Sequence, residues 1–217
     1  ALSASNVVTN ISCFGGSNGG FTVVGAGGSG APFTYTLTSP FQSNGIGTFT
    51  GLSAGTYTII TKDNAGCTTT NTVDVNQPAL LTLTATPVTA LCFGTATGTV
   101  NVSGAGGTPT YSYNLNGGAY QASSTFANQF AAIYSMGIKD ANGCTATQTV
   151  QVLQPTALAI QVATQNANCT AANGVATTTV TGGTPIYTYT WTGGGGASAT
   201  SNNFDSFPSN RPFISWG

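Results

Sequence analysis

Charged side chains are almost missing from this chain. Only 3% of its 217 residues are charged, and histidine is absent, whereas a typical globular domain carries about 25% charged residues. General acid-base catalysis needs a histidine or two carboxylates within reach, and four scattered aspartates do not predict such a pair. Three basic residues are too few for the phosphate contacts of nucleic-acid binding. The sequence therefore predicts no catalytic residue, no enzyme and no nucleic-acid partner.

Long apolar runs and clustered metal ligands are lacking as well. No apolar run reaches the roughly 18 residues of a membrane-spanning helix, so the chain is not expected to span a membrane. The five cysteines include no Cys-x-x-Cys pair and are too far apart for a local tetrahedral zinc site. We therefore predict no metal site and no cofactor. Low charge weakens the repulsion between molecules and favours self-association.

What the chain does contain is an internal repeat. The segment GLSAGTYTIITKDNAGC, residues 51–67, returns as NQFAAIYSMGIKDANGC, residues 128–144. Tyr57 and Tyr134 lie 77 residues apart in these two copies, and the lysines, aspartates and final cysteines keep the same spacing. A fixed period of this length indicates tandem small domains. The predicted repeats are residues 5–78, residues 79–155 and an incomplete third at 156–217.

Each repeat shows the alternation of a β-strand with one buried face. The segments APFTYTLT, PTYSYNL and PIYTYTW place aromatic residues two apart, which suits strands that face a core. A second interpretation remains open, in which the rings point outward and stack on sugars. The aromatic residues concerned are Tyr35, Tyr111, Tyr113, Tyr187, Tyr189 and Trp191.

Cysteine spacing predicts one disulfide in each complete repeat. Cys13 and Cys67 are 54 residues apart, and Cys92 and Cys144 are 52 apart, so we expect each of these pairs to form a bridge. Cys169 opens the third repeat, and its expected partner lies outside this chain. A closed loop of roughly 55 residues stabilises a fold by about 4 kcal/mol in the chain-entropy model. Disulfides of this kind indicate an oxidising, extracellular compartment.

The repeat boundaries carry a Gln-Pro pair. Gln77 and Pro78 end the first repeat, and Gln154 and Pro155 end the second. Proline fixes φ and cannot donate to a strand ladder, so a short, stiff link is predicted at each boundary. In the third repeat the pattern stops after the aromatic segment, which is why that repeat is expected to be incomplete.

Two local motifs are predicted to be structural. Asp63 with Gly66, and Asp140 with Gly143, form Asp-x-x-Gly turns in which the carboxylate accepts nearby backbone N–H groups. Calcium ligation is the alternative for these aspartates.

The segment before Tyr57, LSAGT, resembles a tyrosine corner, in which the hydroxyl bonds back to the chain at a Greek-key crossover. At Tyr134 the corresponding residues are Gln129 and Ala132 in place of the leucine and glycine. The first motif therefore predicts a corner at Tyr57, and the second carries only part of the pattern. Both tyrosines are assigned a structural role.

The full set of motifs resembles the SprB-type repeat of gliding-motility adhesins of the Bacteroidota. It consists of Cys-Phe-Gly, Gly-Gly before Tyr-x-Tyr, Leu-x-Ala-Gly-x-Tyr, Lys-Asp-x-x-Gly-Cys and a closing Gln-Pro. The resemblance covers residues 5–155 as two whole repeats and continues to about residue 204. It implies tandem immunoglobulin-like Greek-key β-sandwich domains in a long surface protein that is exported by type IX secretion.

The function expected from these features is structural and adhesive. The chain would form part of an extracellular cell-surface filament, with neighbouring repeats or further copies of itself as partners. Surface glycans are a further candidate partner, and by resemblance the secretion and motility machinery joins that list. The alternative is a carbohydrate-binding β-sandwich module of a secreted protein, which requires outward-facing aromatic rings.

Overall fold

The fold is all-β. The computed structural model describes residues 1–168, residues 174–190 and the backbone of residues 203–207. Within these residues the secondary structure is antiparallel strand, turn and bend, and no helix occurs. The chain forms two compact units: Ala1–Thr86, Val102–Ser124 and Tyr134–Val150 make the first, and Pro87–Asn101, Thr125–Ile133 and Gln151–Gly217 make the second. The repeat boundaries at 78/79 and 155/156 stay predictions.

The first repeat is a two-sheet sandwich of seven strands. The strands are β1 (Ser3–Thr9), β2 (Gly19–Ala26), β3 (Thr34–Thr38), β4 (Phe41–Asn44), β5 (Thr48–Leu52), β6 (Gly55–Lys62) and β7 (Thr68–Val75). One sheet has the order β1-β2-β5 and the other β4-β3-β6-β7. Consecutive strands β2 and β3 thus lie in different sheets, as do β5 and β6, which is the Greek-key pattern of immunoglobulin-like sandwiches.

The core of this sandwich comes from alternate positions of its strands. Tyr35 and Leu37 on β3 are 5% and 0% exposed, and Phe33 packs against the same cluster. Phe21 on β2 meets Phe49 and Tyr57 with ring centroids 5.2 and 5.9 Å apart. Alternation places every second side chain on the inner face, so the aromatic spacing seen in the sequence is a core feature here.

The second repeat has six strands in the same order. They are β8 (Thr82–Val88), β9 (Gly98–Ala105), β10 (Ser112–Leu115), β11 (Thr125–Gln129), β12 (Ala132–Lys139) and β13 (Thr145–Val152). Two sheets form, β11-β9-β8 and β10-β12-β13. The region matching β4 carries only an isolated bridge between Tyr113 and Gln121. Met136 and Ile138 on β12 are fully buried.

The third repeat forms one described sheet. Its strands are β14 (Ala159–Gln165), β15 (Gly174–Thr181) and β16 (Asn203–Phe207), in the order β14-β15-β16. The predicted aromatic strand is wrong over the described residues 185–190, which are not in a strand, and Ile186 is 95% exposed. Its counterparts pair with the strand that precedes the aspartate turn, β3 with β6 and β10 with β12. Residues 192–217 contain no sequence equivalent of β6 or β12 with its aspartate turn. Trp191 lies outside the described residues.

Both complete repeats begin their second strand with a tightly packed glycine. A Cβ on Gly19 would lie 2.5 Å from Val75 Cγ1 and 2.9 Å from the Leu52 carbonyl oxygen. A Cβ on Gly98 would lie 2.5 Å from Val152 Cγ1. These glycines therefore allow the last strand of the sandwich to approach the second.

Candidate functional site: the aspartate turns and the cysteine joint

The first aspartate turn, residues 63–67, joins β6 to β7. Asp63 Oδ1 accepts the backbone N–H groups of Ala65 at 3.0 Å and of Cys67 at 2.9 Å, and Oδ2 accepts the N–H of Ser29 at 2.9 Å. The side chain is buried, at 4% exposure. These hydrogen bonds, led by that from the Ser29 N–H, hold the pKa of Asp63 below its ordinary value, although burial opposes the shift. They stabilise the charged carboxylate.

The second aspartate turn, residues 140–144, repeats this geometry. Asp140 Oδ1 accepts the N–H groups of Asn142 and Cys144, both at 2.9 Å, and Oδ2 accepts the N–H of Thr108 at 2.8 Å. Gly143 has a φ of 85° and Gly66 a φ of 92°, a conformation that favours glycine. These hydrogen bonds and φ values have the geometry that the predicted turn role of both aspartates requires. Their carboxylate oxygens face N–H donors, the opposite of what a calcium ligand requires.

A glycine pair brings the donor loop up to each carboxylate. Gly28 and Gly107 have φ values of 60° and 58°, and a Cβ on Gly107 would lie 2.6 Å from Asp140 Oδ2. Ser29 and Thr108 come next in the chain and donate their N–H groups to the aspartates. These donors were not among the predicted site residues, although Gly-Gly followed by Ser or Thr occurs in both repeats.

The cysteines near the start of each repeat lie in a braced opening loop, residues 11–18 in the first repeat and 90–97 in the second. In the first loop, the Ile11 N–H donates to the Asn76 carbonyl at 2.9 Å and the Gly15 N–H to Gln77 Oε1 at 2.7 Å. In the second, the Ala90 N–H donates to the Leu153 carbonyl at 2.8 Å and the Gly94 N–H to Gln154 Oε1 at 2.8 Å.

These bonds place each opening loop at the end of the last strand of its own repeat. The glutamine of each Gln-Pro boundary thus holds the opening loop by a hydrogen bond, and it is also part of the predicted link. Pro78 and Pro155 follow these two glutamines directly.

A disulfide joins the two repeats. Cys13, in the opening loop of the first repeat, is bonded to Cys144, in the aspartate turn of the second, across 131 residues of sequence. Around it, Asn142 Nδ2 donates to the Ser12 carbonyl at 3.0 Å and to Thr108 Oγ1 at 2.9 Å. We call these contacts and the bridge the joint. Ser12 and Asn142 were not among the predicted site residues, because their hydrogen bond joins residues 130 positions apart.

The predicted bridges Cys13–Cys67 and Cys92–Cys144 are therefore wrong. Cys67 precedes β7, whereas the loop of Cys13 is bonded to Asn76 and Gln77, which follow β7. A strand of 8 residues spans roughly 26 Å, while bridged cysteines have Cα atoms within about 7 Å. The equal spacing in sequence had suggested a bond within each repeat. The two cysteines of the first repeat instead lie at opposite ends of the sandwich.

The two remaining described cysteines are free thiols. Cys67 and Cys92 are both exposed, whereas Cys13 and Cys144 are half-buried. Cys169 lies outside the described residues, so the expectation that its partner lies outside this chain stays a prediction.

Four of the tyrosines singled out by sequence are buried, whereas Tyr111, Tyr187 and Tyr189 are only partly buried. The hydroxyl of Tyr57 donates to the Ser53 carbonyl at 2.8 Å, which is the back-bond of a tyrosine corner. Tyr134 is equally buried, at 9% exposure. Tyr35 and Tyr113 are 5% and 7% exposed, so their ring faces pack in the core. That placement favours the core interpretation of the aromatic segments over the sugar platform.

Within the described residues, no group of acidic, histidine or cysteine side chains could hold a metal ion. The same part of the chain has no helix that is long and apolar enough to cross a membrane.

Repeated all-β domains joined covalently from loop to turn define the class of protein: a tandem-repeat all-β protein. Comparison with family models matches the SprB repeat three times, at residues 5–40, 82–120 and 162–196. These matches cover about half of the chain, and the chain belongs to the SprB repeat family. A comparison with curated proteins found no match.

Proposed function

We propose that this chain is a load-bearing segment of an extracellular filament that carries adhesion at a cell surface. The observation that carries the proposal is the bridge between Cys13 and Cys144, which joins one repeat to the next. Membership of the SprB repeat family and the low charge, 3% of residues, both fit a fibre whose repeats pack against neighbours. A persistent disulfide also fits an oxidising, extracellular location.

The bridge gives the fibre a specific mechanical property. A force that enters before Cys13 and leaves after Cys144 passes through the disulfide and bypasses the chain between them. That chain covers a sequence separation of 131 residues and contains strands β2 to β12, whereas β1 and β13 lie outside it. Strands β2 to β12 are therefore shielded from direct tension as long as the bridge is intact.

Single-molecule stretching from the chain ends tests this property. With the bridge oxidised, unfolding of the first two repeats should release little length. A reducing agent should add up to about 450 Å of contour length, because an extended chain spans roughly 3.3–3.6 Å per residue. The Cys144→Ser variant should release that length without reductant. Equal contour lengths before and after reduction would contradict the load-bearing role of the bridge.

A second experiment tests the location. Antibody raised against this chain should decorate filaments on intact cells that express it, as seen by immunogold electron microscopy. Deletion of the repeats should reduce attachment of those cells to a surface. Labelling that appears only after the cells are permeabilised would overturn the extracellular proposal.

The proposed route to the surface is type IX secretion and the proposed process is gliding motility, both by resemblance to the gliding adhesins that carry this repeat. A strain with a blocked type IX system should retain the chain inside the cell, and deletion should stop gliding on agar. Normal export and normal gliding in those strains would remove this part of the proposal and leave the filament role to the previous experiment.

A further inference from the structure

The cysteines of the two complete repeats fall into two kinds that bond to each other across repeats. The joint pairs an opening-loop cysteine, Cys13, with an aspartate-turn cysteine, Cys144. The two free thiols are one of each kind, because Cys92 lies in an opening loop and Cys67 in an aspartate turn. The two complete repeats thus present two unpaired cysteines, one of each kind.

The free halves have the same local geometry as the bonded halves. In the opening loops, the Gly15 N–H bonds to Gln77 Oε1 at 2.7 Å and the Gly94 N–H to Gln154 Oε1 at 2.8 Å. In the aspartate turns, the cysteine N–H bonds to the aspartate Oδ1 at 2.9 Å for both Cys67 and Cys144. The backbone that presents each free thiol is therefore already in the bonded arrangement.

The second opening loop is more exposed than the first, as expected if its cysteine has not yet met a partner. Ser12 and Cys13 are half-buried in the joint, whereas their counterparts Leu91 and Cys92 are exposed. Leu91 is 72% exposed and Leu153, whose carbonyl accepts the N–H of Ala90, is 55% exposed. Apolar side chains exposed together beside a functional group are typical of a surface that another protein covers.

We propose that Cys92 and Cys67 form an end-to-end disulfide between copies of this chain, with Cys92 of one copy bonded to Cys67 of the next. The occupant of the Cys92 loop is thus the aspartate turn of a second copy, in the arrangement of the joint. A contact between two different surfaces does not close on itself and generates an open filament. This inference deepens the proposed fibre function and rests on it.

The bond requires an oxidant, and a small-molecule disulfide supplies it by exchange. The Cys92 thiolate attacks one sulfur of the small disulfide, which forms a mixed disulfide and releases one small thiolate. The Cys67 thiolate of the second copy then attacks Cys92 Sγ, which releases the second thiolate. Two protein thiols lose two protons and two electrons, and one small disulfide becomes two thiols.

The proposed contact between copies, at Cys92 and Cys67, differs from the observed joint in one respect. Asn142, which donates to the Ser12 carbonyl, is matched by Ala65 in the first repeat. The contact at Cys67 therefore lacks that amide donor, and the exposed side chain of Leu91 adds apolar surface beside Cys92.

Mixing two single-ended variants tests the proposal. Both carry Cys169→Ser, which removes the cysteine outside the described residues. One also carries Cys67→Ser and keeps the loop thiol, and the other also carries Cys92→Ser and keeps the turn thiol. Because both thiols are exposed, circular dichroism should show an unchanged fold. The variants are treated with oxidised glutathione alone and mixed, then separated by non-reducing electrophoresis.

Each variant alone should give only a small fraction of homodimer, and the mixture should give heterodimers in roughly tenfold excess over homodimers, the ratio that about 1.4 kcal/mol of docking free energy provides. In urea the preference should vanish. The parent carrying both thiols should give a ladder of linked chains. Homodimers that equal the heterodimer under native conditions, or no dimers at all, would overturn the proposal. The filament function could still stand in that case, since surface labelling and stretching test it independently.

Discussion

Removal of Cys13 should destabilise the folded chain far more than removal of Cys67. The Cys13–Cys144 bridge closes a loop with a sequence separation of 131 residues. In the chain-entropy model such a loop restricts the unfolded state by about 5 kcal/mol, and measured losses on removing a bridge are typically 2–4 kcal/mol. We therefore expect Cys13→Ser to lower the free energy of unfolding by about 2–5 kcal/mol. An exposed, unbonded thiol such as Cys67 should change it by less than about 0.5 kcal/mol when replaced by serine.

Urea denaturation followed by circular dichroism measures these differences. Cys144→Ser should match Cys13→Ser, and the double variant should be no less stable than either single variant, because both remove the same bond. Cys92→Ser is the matched control for Cys67→Ser. Reduction of the unmodified chain should reproduce the loss.

Bridges within each repeat would give a different pattern. Cys67→Ser would then be as damaging as Cys13→Ser, and Cys92→Ser as damaging as Cys144→Ser. Equal losses across all four variants would refute the joint. No loss in any of them would show that the bridge does not constrain the unfolded chain.

Three further predictions concern the turns and the packing. Replacing Asp140 by alanine leaves three backbone N–H donors without their acceptor and should lower the free energy of unfolding by about 2–4 kcal/mol in urea denaturation, whereas alanine at the exposed Asp74 should cost less than about 1 kcal/mol. The pKa of Asp63 is lowered in the fold, so its stabilising effect is present above its ordinary value of 3.8 and is lost as pH falls through the lowered pKa. Urea midpoints between about pH 6 and pH 2 should show this loss, and a pH slope unchanged by Asp63→Asn would contradict it. Alanine at Gly19 should destabilise the first repeat by about 1–3 kcal/mol because its methyl overlaps the core, while alanine at Gly45 should be close to neutral; equal melting temperatures for these two variants would contradict the packing.

Local patterns predicted much of this molecule. Alternation identified the buried positions at Tyr35 and Leu37, since a strand that covers a core places every second side chain inward. The Asp-x-x-Gly spacing identified the turns at Asp63 and Asp140, because an aspartate accepts N–H groups from residues two and four positions further on. These interactions are short in sequence and recur in both repeats, so a single chain shows them twice.

The cysteine pairing depended on information that is not local. Spacing within a repeat was regular enough to suggest Cys13 with Cys67, yet the direction of β7 places these two at opposite ends of the sandwich. The pairing follows from which end of one repeat meets which turn of the next. That choice depends on contacts such as Ser12 with Asn142, which no periodicity in the sequence reveals.

The joint itself can be tested by mapping the disulfide on the monomeric chain. Trypsin cleaves after Lys62 and Lys139 but not at Arg211, because Pro212 follows it, and so it yields fragments 1–62, 63–139 and 140–217. Free thiols are blocked by alkylation before the protein is unfolded and digested without reductant, and the products are weighed by mass spectrometry. The joint predicts that 1–62 stays linked to 140–217 and that 63–139 is released with two alkylated cysteines. Recovery of 63–139 linked to both other fragments would contradict the joint and restore a bridge within each repeat.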